Sequence, residues 1–225
     1  MPPRPRAGLT RDRVLATALD IVDRDGIDAL SMRRLGRELG VEAMSLYSYV
    51  ENKQDLIEGV VEQVFREMPI ITEGDGPWQE RLREQAATFR RVLLDHPNAI
   101  TLVAGRPLVT DRTRAFVESA LVELQRYGLD LMTADLVLGL IASFVIGHVS
   151  EQVGEESRAA AGVVTVEPEG TDAARFPNIT ALVKQVVTDR EREFAFGLDV
   201  LIAGIAGLLP TVEGPPGAES RDARG

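Results

Sequence analysis

A chain of 225 residues that is 44% hydrophobic and 27% charged has a globular composition and is long enough for one small and one larger domain. Without a cysteine it can form neither a disulfide nor a thiolate-held metal site, and a net charge of −10 argues against a protein that coats nucleic acid nonspecifically. The acidic excess is uneven: residues 1–66 carry 10 Lys/Arg against 11 Asp/Glu, so nearly all of it falls in the rest of the chain.

The opening stretch, MPPRPRAG, has arginines but no apolar core of a signal peptide, and residues 1–9 read as a basic, flexible arm. From Thr10 a helical period takes over, with Val14, Leu15, Ala18, Leu19 and Val22 on one face and Gly26 as the stop. Ser31 is placed to cap a second helix through Leu39, Gly40 permits a tight turn, and a third short helix is expected from about Ala43 to Val50. Asn52 followed by Asp55 has the form of a capping box opening a fourth helix through roughly Met68.

After the linker-like PIITEGDGPW, helices are expected near 77–94, 98–104, 111–127, 131–156, 178–189 and 191–209. AGVVTVEPEGTDAARFPN reads as a long mobile loop, and residues 211–225 as a disordered tail. The apolar runs LVLGLIASFVIG and FAFGLDVLIAGIAGLL fall short of the ~20 residues of a membrane span, and Asp199 interrupts the second. Strand signals are scarce. An all-α fold is expected.

Residues 31–50, SMRRLGRELGVEAMSLYSYV, have helix-turn-helix spacing: Gly36 is small where two helices touch, and Leu35, Leu39, Val41, Leu46 and Val50 fill the space between them. Met44, Ser45, Tyr47, Ser48 and Tyr49 are then left outside. Such an uncharged, hydrogen-bonding surface suits base edges and thymine methyls in a major groove. Arg33, Arg34 and Lys53 supply charge at its margins, and Lys53 stands at a helix start, where phosphate is favoured.

The stretch LYSYVENKQDL resembles the L-Y-x-H-[VF]-x-[NS]-K-x-x-L signature of the TetR family of bacterial transcriptional repressors, with Tyr49 in place of the usual histidine. GPWQERLREQAATFRRVLLDHP, the GRP at 105–107, GHVSEQ and FAFGLDVLIAGI are similar to the tetracycline-repressor subgroup. The resemblance implies four segments: the arm (1–9), a three-helix helix-turn-helix DNA-binding domain with its connecting helix (10–68), a helical ligand-binding and dimerisation domain (69–210), and the tail. It also implies that Ser31, Ser45, Tyr47 and Lys53 hold phosphates, while Arg33, Ala43, Met44, Ser48 and Tyr49 face base edges.

The ligand-binding set implied by the resemblance is Gln85, Phe89, Leu102, Arg106, Pro107, Ser143, Gly147 and Glu151. Leu102 and Ser143 stand where tetracycline repressors have histidines, one of them a metal ligand, which argues for an effector other than Mg²⁺–tetracycline. His148 and Glu151 are three residues apart on a helix, a spacing that more often gives a hydrogen-bonded pair than a metal site. No cofactor or metal is expected.

The helices near 131–156 and 191–209 are apolar nearly all round. Leu136, Leu140, Phe144 and Val145 recur on the first, and Leu198, Leu201, Ile202, Ile205 and Leu208 on the second; the resemblance to the subgroup implies a two-fold four-helix dimer interface there, which is expected in preference to an intrachain core. There is no cysteine, no Gly-rich phosphate loop and no H-E-x-x-H, and His96 precedes a proline, so nothing converges as a catalytic set. The expectation is a non-enzymatic, cytoplasmic homodimer whose partners are double-stranded operator DNA and a small-molecule effector, with no membrane partner. A constitutive repressor of the same fold is the alternative.

Overall fold

The structure is a computed structural model that describes residues 8–71, 76–105, 110–162, 174–183 and 189–209; among them are ten α-helices and no strand. Residues 1–7 of the expected arm, 163–173 of the expected loop, the tail, the segment 106–109 and residues 184–188 of the expected ninth helix lie outside the described residues, while the loop's last two residues, Pro177 and Asn178, open a helix.

Helix α1 (Arg11–Asp25) starts on Thr10, whose Oγ1 accepts from the Arg13 amide at 3.2 Å. It buries Val14, Leu15, Ala18, Leu19, Ile21 and Val22, and ends at Gly26 with φ of 79°. After a single 3₁₀ turn, Ile27–Ala29, α2 (Met32–Leu39) is capped by the Ser31 hydroxyl, which accepts from the Arg34 amide at 3.3 Å. Gly40 takes the left-handed conformation that closes α2, and α3 (Ala43–Leu46) follows. At Gly36 a Cβ would sit 2.8 Å from the Val41 carbonyl oxygen and 3.1 Å from the Ala43 nitrogen. The two helices cross at backbone contact there.

The third helix is shorter than its sequence suggests. Beyond Leu46 the Ser48 and Tyr49 amides reach back three residues, to Ser45 and Leu46, so the chain stays coiled but tightens into turns before Val50 is buried. Helix α4 (Lys53–Arg66) then opens with Asn52 Oδ1 accepting from the Gln54 and Asp55 amides at 2.8 and 3.0 Å, while the Asp55 carboxylate accepts from the Glu51 amide at 2.8 Å. The capping box is present, shifted by one residue on its return bond.

The second unit comprises α5 (Trp78–Asp95), the 3₁₀ turn Pro97–Ala99, α6 (Ile100–Gly105), α7 (Asp111–Arg126), α8 (Leu131–Ala160), α9 (Pro177–Val183) and α10 (Arg190–Ala206). Helix α8 is its centre and packs against α5, α6, α7 and α10. By length and composition α8 could cross a bilayer, unlike the shorter apolar run read from the sequence. Here one stripe of it, Ala134, Val137, Ile141, Val145 and Val149, forms the core of the unit.

The apolar faces of α8 and α10 divide differently from the expected stripes. Val145, Leu198, Ile202 and Ile205 are buried within the chain, and the Phe144 ring stacks on Phe194 and fills the space beside Gly197. The large apolar groups turned outward include Leu131, Met132, Leu136 and Leu140 on α8, and Phe196 and Val200 on α10, followed by Leu208 just past its end. A helix apolar on every side gives the 3.6-residue period nothing to choose by, and the intrachain partners make the choice.

Helix α4 joins the units. Its Leu56, Val60, Val61 and Val64 are fully buried, and Gly59 takes the Leu15 side chain of α1 against its backbone. At the far end Arg112 of α7 donates to the Phe65 carbonyl at 3.1 Å and to that of Met68, satisfying acceptors that a helix end leaves open. Gly36→Ala is expected to cost about 1–3 kcal/mol in urea unfolding, because the atoms a methyl meets there are backbone and cannot swing away. Unchanged stability would mean that α2 and α3 are not in contact.

Candidate DNA-binding face and internal cavity

The helix-turn-helix presents the surface its sequence implies, with two modifications. Ser31, Arg33, Met44, Tyr47, Ser48 and Lys53 are exposed, Met44 to 74%, and Ala43 and Ser45 are half-buried on the same element. Arg33 and Lys53 form no ion pair among the described residues. Arg34 is different: it is ion-paired to Asp25 and lies 3.9 Å from Glu38, so its charge is already compensated. Tyr49 is the second modification. It is half-buried against the core, and its hydroxyl is enclosed without a hydrogen-bond partner among the described residues.

Lys53 is the first residue of α4, where free amides and the helix dipole add to its charge. The turn at Gly40 and the Asn52 cap thus fix the two borders of the exposed face. Both are local, and both were legible as residue spacing.

A cavity of about 550 Å³ lies in the second unit, between α5, α7 and α8. Its walls are chiefly apolar, with Phe65, Trp78, Leu82, Phe89, Phe116, Leu138, Ile141 and Ile146 among them. Phe65 comes from α4 and meets Phe116 edge-on at 5.5 Å between ring centroids. One end is polar. Arg81 pairs with Glu123 at 2.5 Å, the Tyr127 hydroxyl donates to the same carboxylate at 2.5 Å, and Arg126 approaches its other oxygen at 3.3 Å. Burial, and after it the bond and charge of Glu123, push the Tyr127 hydroxyl above the usual phenol range.

Comparison with known proteins agrees with both features. Residues 14–60 match the family described as bacterial regulatory proteins, tetR family, and residues 69–209 match the tetracyclin repressor-like C-terminal domain. The chain belongs to the TetR family. An HTH-type transcriptional regulator of Saccharopolyspora erythraea is 32% identical over 203 residues, 88% of this chain and 85% of that one. The class D tetracycline repressor protein of Escherichia coli is 29% identical over 221 residues, 92% and 96% of the two chains. ActR from Streptomyces coelicolor, solved in complex with actinorhodin, superposes with a TM-score of 0.79 at 31% identity, covering 92% of this chain and 99% of that one. This TetR-family protein is therefore a transcription regulator with a helix-turn-helix DNA-binding domain, and not an enzyme.

Of the ligand-binding positions expected in this TetR-family chain, Gln85, Phe89 and Ser143 line the cavity. Arg106 and Pro107 lie outside the described residues. Leu102 does not reach the cavity and packs against the hydrophobic core. Gly147 and Glu151 also miss it: both are exposed, on the outward stripe of α8 that runs through Leu136, Leu140 and Ser143 at spacings of three and four. His148 does not pair with Glu151 either. Its two ring nitrogens are buried without a hydrogen bond among the described residues, its ring packs beside Phe144 and Phe194, and burial, then the charges of Arg90 and Arg190, push its pKa down.

Trp78, Arg81, Glu123 and Tyr127 were missed. In sequence, Arg81 and Glu123 are ordinary charges on amphipathic helices. The only available signal was Glu123 at a position whose neighbours one turn away, Ala120 and Tyr127, continue the inner face of α7. Glu123→Ala is expected to cost about 3–5 kcal/mol, since it leaves the Arg81 charge in the wall without its carboxylate. Glu123→Gln, which keeps the shape, is expected to cost less; equal denaturation midpoints for all three proteins would contradict a buried pair.

Proposed function

We propose that this protein is a ligand-responsive repressor that binds a palindromic operator as a homodimer and is released when a small molecule enters the cavity. The carrying observation is Phe65: it belongs to the helix that begins at Lys53 on the DNA-binding face, and its ring is part of the cavity wall. Whatever moves that ring acts on a helix shared with the DNA-binding unit. In this reading residues 10–68 form the DNA-binding domain with its connecting helix, and 69–210 the sensing and dimerising domain.

Ser31, Ser45, Tyr47 and Lys53 hold phosphates, and Arg33, Ala43, Met44 and Ser48 read bases. Tyr49 acts mainly by supporting that face from behind. The effector lies against Phe89, Trp78 and Phe116, oriented by Gln85, Ser143 and the Arg81–Glu123–Tyr127 group. A cavity of this size is within the roughly 300–1,000 Å³ range of small-molecule sites. The similarity to ActR, solved with actinorhodin, supports a ligand for this cavity, and the resemblance-based loss of two histidines argues against Mg²⁺–tetracycline. The outward apolar groups of α8 and α10 form the dimer seam, with Gly147 and Glu151 facing the partner. The protein acts in the cytoplasm, where the DNA is.

Selection of bound sequences from random DNA tests the first half. Recovered sites are expected to be inverted repeats with half-site centres about 34–36 Å apart. On such a site Lys53→Ala is expected to weaken binding to all sequences alike and to lower the salt slope by about one unit per subunit. Arg33→Ala is expected to relax preference at particular base pairs by ~1–3 kcal/mol. Asymmetric sites, or equal losses on specific and random DNA for both variants, would overturn it.

Trp78 is the only tryptophan and lines the cavity, so its emission reports occupancy. A true effector is expected to shift that emission and to bind about 5–150-fold more weakly when operator is present, because coupling between two sites is reciprocal. A ligand that fills the cavity with the same affinity in both states would favour the constitutive alternative.

A further inference from the structure

A buried polar cluster at the junction of the two units is part of neither site. His96 follows α5 at the turn into Pro97–Ala99 and is 8% exposed. Its Nδ1 lies 2.8 Å from Asp23 Oδ2, near the end of α1, and its Nε2 lies 3.1 Å from Glu67 Oε1, just past the end of α4. Asn98 Nδ2 adds a donor bond to the Asp23 carbonyl at 2.8 Å. One imidazole from the sensing unit therefore touches both helix ends of the DNA-binding unit.

Ionised carboxylates only accept hydrogen bonds, and a neutral imidazole carries a single N–H. Both contacts are hydrogen bonds only when the three groups together hold one proton more than a neutral imidazole and two carboxylates. Burial alone would lower the pKa of His96, but the bonds and charges of Asp23, then Glu67, outweigh it and hold the ring above its ordinary value. Asp23 is also raised, first by burial, with Asp20 and Glu67 adding to it against the lowering by His96. The groups acting on His96 are thus Asp23 of α1 and Glu67 beyond α4, with Asp20 acting on it through Asp23.

We infer that His96 is a positioning residue, which clips the sensing body to the ends of α1 and α4 through one shared proton and so fixes the orientation of the DNA-binding unit. Because its folded pKa is raised, the clip is complete below the ordinary histidine value of 6.5 and is lost as pH rises through the raised value. One carboxylate then loses its donor, and the tie between α5 and the two helix ends loosens to the Asn98 bond and the surrounding packing. Neither the identity of the effector nor the operator sequence enters this behaviour.

The chain has two histidines and no cysteine, which makes the test direct. NMR titration of the full-length protein is expected to show one imidazole titrating above 6.5 and the other, His148, below it. Glu67→Gln is expected to lower the first value and leave the second in place. Spin labels on Arg37→Cys and Gln125→Cys, both exposed, report the angle between the units when the labelled protein is diluted with unlabelled chains. Their distance distribution is expected to be narrow at pH 6 and to broaden reversibly at pH 8.5. In His96→Gln it is expected to be broad at both, whereas Glu67→Gln, whose amide can donate to the Nε2 of a neutral ring, is expected to stay narrow at both. If His96→Gln fails to fold, Glu67→Gln, whose side chain is 47% exposed, carries the comparison alone. A His96 that titrates at or below 6.5, or a wild-type distribution indifferent to pH, would overturn the assignment.

Discussion

Helix α4 is packed into two cores at once, and the rest of the molecule is arranged around that fact. Along most of its length Leu56, Val60, Val61 and Val64 are sealed against the DNA-binding unit, with Gly59 letting the Leu15 side chain of α1 pack against its backbone. At its end Phe65 turns into the cavity of the other unit, and Arg112 ties the last carbonyls to α7. Burying a large apolar side chain is worth about 1.5–3 kcal/mol, so neither set of contacts is easily surrendered. A helix held this way transmits displacement as a rigid piece. That is why an end on the proposed DNA-binding face and a cavity wall on one helix matter more than either alone.

The second unit accepts two costs. It keeps a cavity of about 550 Å³ where close packing would have filled the space, and it keeps an ionised pair, Arg81 and Glu123, in that cavity's wall. Interiors normally pack to crystal-like density, and a buried pair rarely improves on well-packed apolar groups. Both features are explained more readily by recognition than by stability. Apolar walls supply the affinity for a small molecule, and a fixed polar end supplies its orientation.

The outward face of the second unit carries Leu136, Leu140, Phe196 and Val200, interleaved with Gly139, Gly147 and Gly204, where a Cβ would meet nothing within 4 Å among the described residues. Large exposed apolar groups beside small ones make a surface suited to close helix contact with a partner. The same α8 that bears this face also lines the cavity through Ser143 and Gly139. In the proposed function, dimerisation and sensing therefore share one helix, as DNA binding and sensing share α4.

Much of this was legible in the sequence because it is local. Caps at Thr10, Ser31 and Asn52, the turn glycines 26 and 40, and the alternation of inward and outward residues in 31–50 act over a few residues, so spacing alone determines the helices and the exposed DNA-binding face. Three kinds of feature were not legible. α8 and α10 are apolar on all sides, and only their neighbours decided that Val145, Leu198 and Ile202 go inward while Leu136 and Phe196 stay out. The cavity joins residues as distant as Phe65 and Ile146, which left Leu102, Gly147 and Glu151 outside it and brought Arg81, Glu123 and Tyr127 in. His96, read from the sequence as a lone histidine before a proline, gained Asp23 and Glu67 as partners only when the two units packed together. Periodicity and capping record what a residue does to its own helix. Which distant groups a side chain meets is set by how the helices cross, and that only the tertiary structure decided.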